Sequence, residues 1–88
     1  MYKLTKTIKY SAINFETALK KIVVYRMHWI DSTYDVTITE KIVKLDGTVI
    51  RETTNTQICV CMDRLNAWLN TLKDIDIKHG YYVDIKTA

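Results

Sequence analysis

The fold turns on the reading of one stretch, Asn14-Phe15-Glu16-Thr17-Ala18-Leu19-Lys20-Lys21-Ile22-Val23-Val24-Tyr25-Arg26-Met27-His28-Trp29-Ile30. Asn14 is a residue type whose side-chain oxygen caps helix N-termini. After it, Phe15, Ala18, Leu19, Ile22 and Val23 recur with helical spacing, and the series carries on through Arg26, Met27 and Ile30. This spacing predicts a helix over 14–28. The competing reading starts from Ile22-Val23-Val24-Tyr25, where branched Cβ atoms lose rotamer freedom in a helix and fit a pleated surface better. It predicts a short helix followed by a strand over 22–30. Helical periodicity favours the first reading.

Working outward toward the N-terminus, Tyr2, Leu4, Ile8 and Tyr10 alternate with Lys3, Thr5, Thr7 and Lys9, the pattern of a half-buried strand over 2–10 in which Lys6 breaks the apolar row. In the other direction, Asp46-Gly47 accepts positive φ and marks a two-residue hairpin loop between strands over 34–45 and 48–59. Counting from that tip pairs Val43 with Ile50, Lys41 with Glu52, Thr39 with Thr54 and Thr37 with Thr56. One face of the hairpin is then a threonine ladder. The other carries Tyr34, Val36, Ile38 and Ile42 against Arg51, Asn55 and Gln57, an imperfect apolar pattern that a bulge could shift.

Cys61, Met62, Leu65, Leu69 and Leu72 form a second helical stripe, predicting a helix over 62–74 with Asp63 as its cap and Met62 and Ala67 as a hydrophobic staple. Asp74 and Asp76, set among Lys73 and Lys78, read as a solvated loop beyond that helix. His79-Gly80 is a turn signal, and Tyr81, Val83 and Ile85 alternate as a last strand. The order β-α-β-β-α-β predicts one α+β domain over residues 1–88. Its expected architecture is the split, ferredoxin-like one: a four-stranded antiparallel sheet with two helices on one face.

With 88 residues, 48% of them apolar and 26% charged, the composition is that of a single globular domain with one modest core. The longest unbroken apolar run, Ile22 to Tyr25, is far too short to cross a bilayer. The start, Met1-Tyr2-Lys3-Leu4, lacks the apolar stretch of a secretory signal. Cys59 and Cys61, one residue apart, would close a loop that constrains almost nothing, so both read as reduced thiols and the expected setting is the cytoplasm, including that of a host cell. Charge is uneven. Residues 1 to 30 hold Lys3, Lys6, Lys9, Lys20, Lys21 and Arg26 against Glu16 alone, while the rest of the chain is slightly acidic.

No arrangement of side chains predicts catalysis. Cys59, Cys61, His28 and His79 are the available zinc ligands, but a single residue between the cysteines is short of the usual closed-site spacing, so no metal or cofactor is expected. The hydroxyls lack a nucleophile elbow, and two isolated glycines cannot build a phosphate loop. The split βαβ scaffold also serves RNA-binding modules that stack bases on sheet aromatics, yet residues 48–59 contain no aromatic side chain. It serves acyl-phosphate hydrolases as well, but Tyr10-Ser11-Ala12-Ile13-Asn14-Phe15 offers no glycine-rich anion cradle.

The residues that remain suit macromolecular contact. Six tyrosines and two tryptophans supply large contact area at modest entropic cost. Tyr25, Trp29, Tyr34 and Tyr82 are the expected aromatic anchors, Thr37, Thr39, Thr54 and Thr56 the expected hairpin surface, and Lys20, Lys21 and Arg26 the expected steering charges. The function this predicts is a small non-enzymatic protein-binding module, extending to a viral or mobile-element inhibitor that occupies a surface of a host machine. The expected partner is a protein, a second copy of the chain included. A nucleic-acid-binding regulator and a structural subunit of an assembly are the alternatives.

Overall fold

A computed structural model describes residues 3–30, 33–58 and 61–87. Its elements run β1 (Lys3–Asn14), β2 (Leu19–Ile30), β3 (Thr33–Lys44), β4 (Val49–Ile58), α1 (Met62–Lys78) and β5 (Tyr82–Thr87). They form one five-stranded sheet in the order β4-β3-β2-β1-β5, antiparallel at every junction. The chain meanders through four strands, crosses the sheet as α1, and returns as β5 beside β1. The four-stranded ferredoxin-like sheet with two helices is therefore overturned, since one helix stands where two were expected and five strands where four were.

The difference lies in the stretch 14–30. Asn14 does accept a hydrogen bond on Oδ1 from the Thr17 amide at 3.0 Å, the contact an N-cap would make. Here it closes a tight turn, and Ala18, at φ 57°, leaves the helical region. Leu19 to Ile30 then pairs along its whole length with β1 on one side and β3 on the other. As the middle strand, β2 puts apolar residues on both faces: Val23, Tyr25 and Met27 toward α1, Ile22 and Val24 away from it. Apolar residues on both faces blur the period of two, and by chance they reproduce a helical spacing.

The N-terminal strand extends past residue 10 to Asn14. Its register on β2 shifts between Leu4 and Lys6, so that Lys6 stands opposite Met27; this irregularity accounts for the broken apolar row. Tyr2 and Cys59 lie outside the described residues. The hairpin register matches at Thr37 with Thr56, Thr39 with Thr54 and Lys41 with Glu52. Val43, however, pairs with Val49 rather than Ile50, because Lys44 and Thr48 close a loop of three residues and Ile50 is left as a bulge. Lys44 N–H donates to the Thr48 carbonyl at 2.8 Å, Gly47 at φ 96° closes the turn onto the Lys44 carbonyl, and Asp46 Oδ1 accepts from the Thr48 amide at 2.9 Å.

The core lies between α1 and one sheet face. Ile8, Tyr10 and Ala12 of β1, Val23, Tyr25 and Met27 of β2, and Val36 of β3 bury themselves against Leu65 and Leu69. Each fully buried side chain of this size is worth about 1.5 to 3 kcal/mol. Phe15, counted in the expected helical stripe, is exposed in the β1–β2 turn. The helix runs four residues beyond its expected end. Its N-cap is Cys61, without a side-chain capping bond, so Asp63 sits in the first turn rather than at the cap. The extension brings Asp76 inside the helix and into the core at 3% exposure, not onto a solvated loop.

Candidate interaction face

Alternation on a strand sends neighbouring side chains to opposite sides, so a sheet covered by one helix leaves its other face open. The open face here is built from Thr7, Lys9, Ser11 and Ile13 of β1, the Lys20, Ile22, Val24 and Arg26 row of β2, the threonine ladder of β3 and β4, and Tyr82, Asp84 and Lys86 of β5. Two shallow depressions mark it. One, of about 290 Å³, is lined by Lys9, Ser11, Ile13, Lys20, Tyr82, Asp84 and Lys86. The other, of about 440 Å³, has Ile22 and Val24 among its lining residues, with Lys9, Arg26, Thr39, Lys41, Glu52 and Thr54 around them. Lys9 belongs to both.

The electrostatics of this face are uneven. Lys9 and Lys86 stand directly opposite one another on β1 and β5. Like charges in that position oppose strand pairing. Lys86 has Asp84 at 3.8 Å and Lys41 has Glu52 at 3.9 Å, both in solvent-exposed pairs that gain little. Among the described residues, no carboxylate lies within ion-pair distance of Lys9, Lys20 or Arg26.

The structure divides the sequence-based site residues between the two faces. Lys20, Arg26, Thr37, Thr39, Thr54, Thr56 and Tyr82 share the open face, with Tyr82 70% exposed. Lys21, Tyr25, Trp29 and Tyr34 lie on the helix-covered face. Tyr25 is 6% exposed and packs in the core, so it is no surface anchor. Trp29 and Tyr34, directly paired across β2 and β3, stack edge to face with centroids 4.7 Å apart, and Trp29 stays partly exposed. Lys21 is no free steering charge: its Nζ donates to both oxygens of Asp76 at 3.2 and 3.3 Å and sits 5.7 Å from the Tyr81 ring.

Lys9 and Lys86 join the face without having been expected there, and Lys41, whose pairing with Glu52 was expected beside the threonine ladder, joins it as a further cation. Lys9 was legible as the outward residue of the first strand. Its company was not, because reading β2 as a helix separated Lys20 from Arg26. Among the described residues no three His, Cys, Asp or Glu side chains gather as metal ligands, and no helix is long and apolar enough to cross a membrane. No family model, curated protein or solved structure matches this chain.

Proposed function

We propose that this protein is a non-enzymatic binding module that lays the open face of its sheet against an acidic surface of a partner protein. The observation that carries this reading is the Lys9–Lys86 opposition, with Lys20 and Arg26 unpaired nearby. Such an arrangement costs the isolated fold and is relieved when carboxylates approach it. Ile13, Ile22 and Val24 between the cations give the contact an apolar component, and the threonine hydroxyls add adaptable hydrogen bonds. The module acts by occupying a surface, as an inhibitor or an assembly subunit does. The exposed thiol of Cys61 suits a reducing cytoplasm.

Phosphate backbones are also anionic, but Tyr82 is the one Phe, Trp or Tyr side chain on the open face among the described residues, a thin platform for stacking bases. The test is capture of partners by the wild-type chain and by a Lys9→Glu/Arg26→Glu variant, with Lys6→Glu on the opposite face as control. A captured protein should be lost with the double reversal and kept with the control. Retention by the double reversal refutes the open-face reading, and capture of nucleic acid in place of protein replaces the partner class.

A further inference from the structure

The sheet has two edges, and they are built differently. β5 is six residues long and carries Asp84 and Lys86. β4 is ten residues long, contains neither lysine nor proline, and is exposed at every position. Its register with β3 is unbroken from Ile58 to Arg51, and the irregularity falls at Ile50, the extra residue between the Ile42–Arg51 and Val43–Val49 pairs. Proteins blunt exposed edges with short strands, charged side chains, prolines, bulges or a covering element. On β4 such devices are confined to one end, where Ile50 bulges and Arg51 and Glu52 pair with Glu40 and Lys41 of β3; from Thr53 to Ile58 the outer edge has none of them.

We infer that β4 is a self-association edge, joining two copies of this chain antiparallel about a two-fold axis through Thr54. Cross-strand neighbours in a sheet must project to the same face, so a two-fold axis perpendicular to the sheet has to pass through a residue rather than between two. An axis through Thr54 sets Ile50 of each copy against Ile58 of the other. These are the only aliphatic side chains between residues 50 and 58, and they stand 53% and 71% exposed in the single chain. The same axis places Thr53 opposite Asn55, Glu52 opposite Thr56 and Arg51 opposite Gln57, so no like charges meet. Moving the axis to Thr53 puts Ile50 against Thr56, and moving it to Asn55 puts Ile58 against Glu52; either loses both isoleucine pairs. One register is thus selected by the strand itself, and it favours a second copy over an unrelated strand.

The edge is separate from the cations of the open face, so the two readings fail independently. An edge contact of nine residues per chain lies at the small end of protein interfaces, which sets the expected dissociation constant in the range of about a micromolar or weaker. Sedimentation of the purified full chain over a concentration series should show a monomer–dimer equilibrium. Thr54→Lys, which brings two ammonium groups together on the axis, should weaken it at least about tenfold, while Lys86→Glu on the β5 edge should leave it unchanged. As a second readout, Thr54→Cys in a background with Cys59 and Cys61 changed to Ser should oxidise to a covalent dimer faster than Gln57→Cys in the same background, because only residue 54 faces its own copy. A folded chain that stays monomeric to millimolar concentration overturns the proposal and leaves the edge to a strand of another protein. A dimer indifferent to Thr54→Lys overturns it too.

Discussion

Tyr10 and Asp76 meet in the core across 66 positions of sequence: the phenolic hydroxyl of the β1 residue donates to Oδ2 of the α1 residue. Lys21 of β2, paired across the sheet with the small, fully buried Ala12, completes the cluster by donating to both carboxylate oxygens. A carboxylate near a helix C-terminus opposes the macrodipole, and the ammonium offsets that cost. No buried side-chain polar atom among the described residues is left unbonded. The cluster fixes where the end of α1 lands on the sheet, and thus where β5 begins.

Asp76→Ala removes the partner of both groups at once. It should cost on the order of 3 kcal/mol, since breaking a buried ion pair strands the remaining charge. Tyr10→Phe deletes one hydrogen bond and keeps the ring, so its cost should be smaller, about 1 to 2 kcal/mol. Denaturant unfolding of both variants and of the double variant checks this. Additive costs would show that Tyr10 and Asp76 are not energetically coupled.

The same hydroxyl sets the alkaline limit of the fold. Burial, reinforced by the hydrogen bond to Asp76 and by its charge, raises the Tyr10 pKa well above the ordinary tyrosine value. Burial raises that of Tyr25 as well, with Glu40 adding to it. A raised folded-state pKa means that the native state holds its proton more tightly, so the stabilisation is fully present below pH of about 10 and falls as pH climbs past that value. Unfolding free energy should therefore decline above pH of about 10, with a shallower slope in Tyr10→Phe. Tyrosinate absorbance should show this residue ionising only as the chain unfolds; early, reversible ionisation of all six tyrosines would contradict it.

Much of this was open to sequence reading, and the failures have physical causes. The Asp46-Gly47 hairpin, the Leu65 and Leu69 stripe and the His79-Gly80 turn are set by local chemistry and stand where the residues place them, the hairpin with one residue more in its loop than expected. The middle strand was misread because burial on both faces erases the alternation that identifies a strand. Asp76 was misread because a carboxylate amid lysines looks solvated unless its distant partners are known. Neither Tyr10 nor Lys21 lies within 50 positions of it. The open face follows only from the observed strand order, in which Lys9, Lys20 and Arg26 fall on one side of adjacent strands.

The β1–β2 turn carries a strain that can be relieved. Ala18 sits at φ 57°, a region that costs a residue with a Cβ roughly 1 kcal/mol or more, while its carbonyl accepts from the Leu45 amide at 3.2 Å and ties this turn to the neighbouring hairpin. Ala18→Gly should stabilise the protein by about 0.5 to 1 kcal/mol, less whatever glycine adds to unfolded-chain entropy. Gly47→Ala, at φ 96°, should do the opposite despite open space around its Cβ position. A thermal melt lowered by Ala18→Gly would mean that the turn is held by contacts rather than strained against them.

The Lys9–Lys86 opposition separates a binding face from a merely solvated one. If the two ammonium groups serve only the isolated fold, replacing one should be neutral or harmful to it. If they are kept for a partner, Lys9→Gln should raise stability by a few tenths of a kcal/mol, because an exposed like-charge pair across two strands is removed. The same change should weaken binding of the acidic partner, and the loss should shrink as salt is added, since screening already reduces the wild-type attraction. Unfolding and binding are to be measured on one preparation at two ionic strengths. A gain in stability with a loss in affinity is the expected pair of results. Loss of stability would make Lys9 a structural residue, and unchanged affinity would remove it from the proposed contact.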